Sequence, residues 1–169
     1  RDPLTNLFNR RRFHEELDRM LADAHRHHGN VGLLAIDLDG FKPVNDCFGH
    51  QAGDEVLRTL AHELGAVVRR NEMFFRLGGD EFAILVPAST EQELAELARR
   101  VCHCIAGLEF MFDGQSVRVT GSIGVALSGA GEADANILIG NADRAMYLAK
   151  TQGGDRWAVA ACGQVRRLA

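Results

Sequence analysis

The chain has no apolar run approaching the roughly 20 residues that a membrane-spanning helix needs, and its opening Arg1-Asp2-Pro3-Leu4-Thr5 contains no secretory-signal core. It also lacks a cationic excess: 19 Lys and Arg face 23 Asp and Glu, a formal net charge of -4. Polyanion binding rests on clustered phosphate-neutralising cations, so this balance argues against DNA or RNA as the main partner. A small anion held by one or two cations and a metal stays compatible. Cysteine is sparse, with Cys47, Cys102, Cys104 and Cys162 in 169 residues. A chain of this length needs no disulfide staples, and reduced thiols in a cytoplasmic setting are expected, even if a parent protein is membrane-anchored. Internal repeats, low-complexity tracts and linker-like shifts are absent, so one domain is expected to account for residues 1–169.

What is present is 46% hydrophobic and 25% charged residues, enough for one soluble core that buries roughly 70% of the unfolded surface. Residues 9–27 carry Phe13, Leu17, Met20, Leu21 and Ala24 at helical spacing, and Gly29-Asn30 stops them. His25, His27 and His28 at that end suit a helix C-terminus better than a metal. Residues 31–39 form a nearly continuous apolar run that breaks into Asp37-Leu38-Asp39, the pattern of a buried strand delivering carboxylates at its exit. After a short connection, residues 54–68 predict a second helix. Residues 73–77 and 82–86 flank Gly78-Gly79-Asp80-Glu81 as a hairpin, and Thr90 with Glu93 forms a capping box before a helix to residue 105. On that helix Cys102 and Cys104 point to nearly opposite sides and cannot readily share a metal. Residues 110–112 and 116–119 predict another hairpin around Asp113-Gly114. A strand over 122–127, a helix over 135–150 and a strand over 157–161 complete the chain. Helices interleaved with antiparallel pairs give an α+β fold of ferredoxin-like, palm type: a central antiparallel sheet backed by helices, with an extra β-hairpin.

Two acidic clusters stand out, Asp37 with Asp39 at the strand exit and Asp80 with Glu81 in the hairpin turn. If the first strand neighbours the hairpin, the clusters converge, and close carboxylates repel by about 1 to 4 kcal/mol per pair. A divalent cation relieves that repulsion, and an all-oxygen donor set suits Mg²⁺ or Mn²⁺ over Zn²⁺. Taken singly, each cluster has a plainer explanation. Gly-Gly-Asp makes a good turn, and Asp37 could pair with Lys42 or Arg76.

Residues 37–54 read DLDGFKPVNDCFGHQAGD, and Gly78-Gly79-Asp80-Glu81-Phe82 follows. Together with Asp2-Pro3-Leu4-Thr5 and Asn9-Arg10, with Ser122-Ile123-Gly124-Val125-Ala126, and with Ala145-Met146-Tyr147-Leu148-Ala149-Lys150, these segments resemble the GGDEF domain family of bacterial diguanylate cyclases almost end to end. The resemblance implies that two GTP condense to cyclic di-GMP and two pyrophosphates, each ribose 3′-hydroxyl attacking the other's α-phosphate across a transient homodimer. It implies Mg²⁺ or Mn²⁺ held by Asp37, Asp80, Glu81 and the Leu38 carbonyl. Asp80 would also accept the hydroxyl proton, with Glu81 beside it in the catalytic group. Gly78 and Gly79 would let phosphates approach the backbone. Lys42 and Lys150 would face the triphosphate, and Asn45 and Asp54, with Phe41 nearby, would read guanine. Turn formation by Asn45 and a helix N-terminal role for Asp54 are the structural alternatives.

The chain departs from the family pattern in three places. Gly153-Gly154-Asp155 stands where Gly-Arg-Asn is common, so a phosphate contact is lost unless Arg156 supplies it. Asn6 replaces a glycine in the opening turn, where Asn tolerates the left-handed conformation. The Arg-x-x-Asp motif of the family's product-inhibition site reads Arg69-Arg70-Asn71-Glu72. The resemblance further implies a sensory or receiver domain in a longer parent chain. A silent module binding GTP or cyclic di-GMP is the alternative function. A palm-like cyclase acting on ATP is disfavoured by Asn45 and Asp54.

Overall fold

The computed structural model describes residues 1–161 and 164–166. Its elements run α1 (Arg10–His27), β1 (Val31–Asp39), α2 (Phe41–Phe48), α3 (His50–Val67), β2 (Met73–Gly78), β3 (Glu81–Pro87) and α4 (Glu91–Ala106). They continue β4 (Phe110–Phe112), β5 (Gln115–Val117), β6 (Thr120–Leu127), α5 (Ala135–Thr151), β7 (Arg156–Ala161) and β8 (Gln164–Arg166). The main sheet has the order β2-β3-β1-β6-β7-β8, and β4-β5 form the separate hairpin.

The four strands β2-β3-β1-β6 are antiparallel throughout, the ferredoxin-like core expected from the element order. One difference lies at the far side, where β7 pairs parallel to β6 and β8 adds a strand that the sequence reading did not contain. A parallel neighbour requires a crossover, and α5 is that crossover.

β1 is buried on both faces, which explains its unbroken apolar run. Leu33 and Ala35 pack with Ala83 and Leu85 against α1 and α5, while Leu34 and Ile36 pack with Ile84 and Val125 against α3 and α4. Helix α5 lies close on β6 because Gly124 has no side chain, and a Cβ there would stand 1.9 Å from the Ala142 carbonyl oxygen. Ala142 at that contact, and Ala145 and Ala149 packed with Ala158 of β7, are fully buried. The helix ends follow their caps: Asn9 Oδ1 accepts from Arg12 N, and Thr90 with Glu93 makes the reciprocal capping box. His28 takes the left-handed position that ends α1, with His25 and His27 in its last turn.

The stretch expected to be a short connection is instead helix α2, and α3 begins at His50 rather than Asp54. Pro43 sits in the first turn of α2, where no intrahelical N–H is needed, so it does not break the helix. Gly49 at φ 87 separates the two helices. Cys47, Cys102 and Cys104 are free thiols, and Cys162 lies outside the described residues. Burial, reinforced by the charges of Asp155 and Asp39, pushes the Cys102 thiol up to about 12, so it is a structural group with little thiolate.

Candidate active site at the β1 exit and the β2–β3 turn

The register of β1 on β3 sets Asp37 directly across from Glu81, and Leu38 N–H donates to the Asp80 carbonyl at 3.3 Å. The turn before β3 uses two glycines with positive φ, Gly78 at 141° and Gly79 at 53°, and a bulge follows Arg76. This geometry brings Asp80 within electrostatic reach of Asp37. Burial first, and the Asp37 charge second, raise the Asp80 carboxyl above its ordinary value of 3.8, with Lys150 and Arg76 pulling the other way. Lys150, delivered by the last turn of α5, donates from Nζ to Asp37 Oδ1 at 2.5 Å. Asp37 therefore pairs with Lys150, not with Lys42 or Arg76.

Glu81 lies on the same sheet face but pairs with Arg10 at 3.2 Å, and Arg10 Nε also donates to the Leu77 carbonyl. Asp39, grouped with Asp37 in the sequence, is saturated by protein donors from Thr120, Ser122 and the Asp155 backbone. Among the described residues, no three His, Cys, Asp or Glu side chains are gathered as a metal cage. The donors at hand are two mutually repelling carboxylates and main-chain oxygen, without imidazole or thiolate. That set fits Mg²⁺ or Mn²⁺, which retain waters and take phosphate ligands rather than needing an all-protein cage.

A second group of residues lies at the α2–α3 junction. Asn45 Oδ1 is buried with no hydrogen-bond partner among the described residues, an unusual state for a buried polar atom. Gly53 makes room for it, since a Cβ at Gly53 would lie 1.9 Å from Asn45 Oδ1 and 3.2 Å from Phe41 Cζ. Asp54 is half-exposed and only loosely paired with Arg58 at 3.9 Å. Lys42 is exposed and has no ion pair among the described residues.

Arg69 and Glu72 line a cavity of about 280 Å³ between the loop after α3 and helix α4. Glu72 Oε2 accepts from the Arg69 backbone N–H at 2.7 Å, so this carboxylate caps its own loop. Arg100 lines the same cavity, and its Nε is buried without a partner among the described residues. Sequence reasoning missed Arg100, because it sits on α4 and no local pattern links it to Arg69.

Also missed was the work of the opening segment. Asp2 accepts from Arg76 at 3.1 and 3.0 Å, while Arg76 donates through Nε and its other terminal nitrogen to the Gly79 carbonyl at 3.1 and 2.8 Å. Thr5 adds two hydrogen bonds to Asp2. The first residues thus brace the turn that carries Asp80. Arg156 is folded back, its Nε donating to the Gly154 carbonyl at 2.9 Å.

Comparison with known proteins gives the family. The family model described as diguanylate cyclase, GGDEF domain, matches residues 1–156. Diguanylate cyclase DgcP of Pseudomonas aeruginosa is 40% identical over 159 residues, 94% of this chain and 24% of that protein. Diguanylate cyclase DgcZ of Escherichia coli is 37% identical over 155 residues, 92% of this chain and 51% of that protein. The chain thus spans about a quarter to a half of these curated relatives. The crystal structure of the GGDEF domain of DgcB from Caulobacter crescentus, in complex with c-di-GMP, superposes with a TM-score of 0.90 at 32% identity, covering 95% of this chain and 93% of that one. With an acidic glycine turn set against an acidic strand exit on a ferredoxin-like sheet, and with a match that runs through every motif, the chain belongs to the diguanylate cyclase GGDEF domain family.

Proposed function

We propose that this domain condenses two GTP into cyclic di-GMP and two pyrophosphates. The observation that carries this reading is the juxtaposition of Asp37 and Asp80, the second raised by burial and by the first, beside the ammonium of Lys150. Carboxylates crowded in this way are relieved by a divalent cation, and Asp80 is the candidate acceptor for the ribose hydroxyl proton. A divalent cation bound by Asp37, Asp80 and the Leu38 carbonyl would supply charge neutralisation at the phosphates and lower the cost of deprotonating the hydroxyl. Lys150 and Lys42 supply positive charge towards the triphosphate and the leaving pyrophosphate. The unpartnered Asn45 Oδ1 and the half-exposed Asp54 carboxylate are acceptors suited to the N1-H and N2-H₂ edge of guanine, which adenine lacks. Glu81, held by Arg10, would join the ligands of the cation once that pair opens. One domain holds one GTP, so the reaction requires two copies facing each other. In a longer parent chain, a sensory or receiver domain would govern that encounter.

The test is incubation with GTP and Mg²⁺. Cyclic di-GMP is expected, and Asp80→Ala should reduce its rate by a factor on the order of 10² or more. GTP binding without product, at concentrations where the dimer is populated, overturns the reading in favour of a silent nucleotide-binding module. That second reading draws on Gly154, which offers no cation, and on Arg156, which is turned back onto the loop. The cavity of Arg69, Glu72 and Arg100 is the place where cyclic di-GMP would exert feedback.

A further inference from the structure

Asp37 and Asp39 share one face of β1, two residues apart, yet their surroundings differ completely. Asp37 meets a single side-chain cation. Asp39 Oδ1 accepts from Ser122 Oγ at 2.7 Å, and its Oδ2 accepts from Thr120 Oγ1 at 2.9 Å and from the Asp155 backbone N–H at 2.9 Å. Gly154 lies so close that a Cβ would stand 2.6 Å from Oδ2. The turn after α5 is tied in the other direction too, with Gly154 N–H donating to the Ala149 carbonyl and Gly153 N–H to the Lys150 carbonyl. One carboxylate therefore joins the exit of β1, the start of β6 and the turn that closes α5 at Lys150.

We propose that Asp39 is a positioning residue: it locks the α5–β7 turn against the exit of β1 and thereby holds Lys150 over Asp37. The inference rests on the reading that Lys150 faces the triphosphate, and it removes Asp39 from the metal-binding carboxylates. Its oxygens are filled by protein donors from β6 and from the α5–β7 turn, so its contribution is geometric and needs no ion.

Three variants, and the combination of the first with Lys150→Ala, test it. Asp39→Ala removes every acceptor. Asp39→Asn keeps an oxygen at the Oδ2 position for the Asp155 N–H and the Thr120 hydroxyl, while its NH₂, at the Oδ1 position, can donate to the Ser122 hydroxyl. Thr120→Val deletes one donor and guards against a misfolded Asp39→Ala. In Asp39→Ala, the Asp155 amide should exchange with solvent at least about tenfold faster, without nucleotide or metal. The KM for GTP should rise about five- to tenfold, with kcat and the Mg²⁺ activation midpoint each within about twofold of the wild type. Asp39→Asn should bring KM back to within about threefold, and in a Lys150→Ala background Asp39→Ala should add less than about twofold. Thr120→Val should raise both exchange and KM by a smaller factor.

A displaced Mg²⁺ midpoint that Asp39→Asn fails to rescue would make Asp39 a metal ligand and overturn the proposal. So would independent, multiplying effects of Asp39→Ala and Lys150→Ala, or a Thr120→Val protein with unchanged exchange and KM. A wild-type protein that makes no cyclic di-GMP overturns the proposed activity instead. The nucleotide-free exchange measurement then decides the lock by itself.

Discussion

A single carboxylate, Asp2, ties the first residues of the chain to the turn that carries Asp80, through Arg76 and the Gly79 carbonyl. Burial acts to raise Asp2, but the hydrogen bonds of Thr5 and the charge and hydrogen bonds of Arg76 outweigh it and hold the carboxyl below its ordinary 3.8. A lowered folded-state value contributes stability that is fully present above 3.8 and is lost as pH falls through the lower folded value. Asp2→Asn should therefore cost about 1 to 2 kcal/mol at neutral pH, read from urea midpoints. The midpoints of variant and wild type should converge in acid, and a constant gap across pH would show that charge is not the cause. At this scale the sequence was only partly legible. Asp37 and Asp39 are the same residue type on the same strand face. Only partners on β6, in α5 and in the turn after it, more than 80 residues away in the chain, separate the ion-paired Asp37 from the pinned Asp39.

Elements were more transparent because each carries its own periodicity and punctuation. The bounds of β1, the Thr90 capping box and the glycine turn before β3 all emerge where local pattern predicts them. Helix α2 was hidden because it is only two turns long, follows Gly40 and carries Pro43, although Phe41, Val44 and Phe48 keep helical spacing on its inward side. The parallel β6–β7 pair was hidden because pairing direction follows from the crossover rather than from any strand's composition. Two glycines carry predictions about these elements. Gly124→Ala sets a methyl group against the α5 backbone, so it should destabilise the domain by about 1 to 3 kcal/mol in thermal or urea unfolding. Gly154→Arg reinstates the residue common in the family, yet Gly154 has φ 71° and its missing Cβ faces the pinned Asp39 carboxylate. This substitution should cost about 1 to 2 kcal/mol of stability and should not raise cyclase activity. A gain in activity with unchanged unfolding would show that the turn rearranges freely.

For the whole molecule, no described helix is long and apolar enough to cross a membrane, and the domain presents its acidic turn at one end of the sheet. If two such ends must meet for chemistry, the initial rate of cyclic di-GMP formation should scale with roughly the square of protein concentration when the dimer is scarce, flattening to first order when it is abundant. First-order behaviour down to the lowest concentrations would point to a preformed dimer. The path of the chain also divides labour between two stretches. Residues proposed to recognise the base lie on α2 and α3, immediately after β1, whereas the lysine from α5 arrives on the crossover near the other end. Purine preference would then be confined to the α2–α3 stretch while phosphate affinity is shared between Lys42 there and Lys150 on the crossover, so the Lys150 share alone is open to drift without rewriting base recognition.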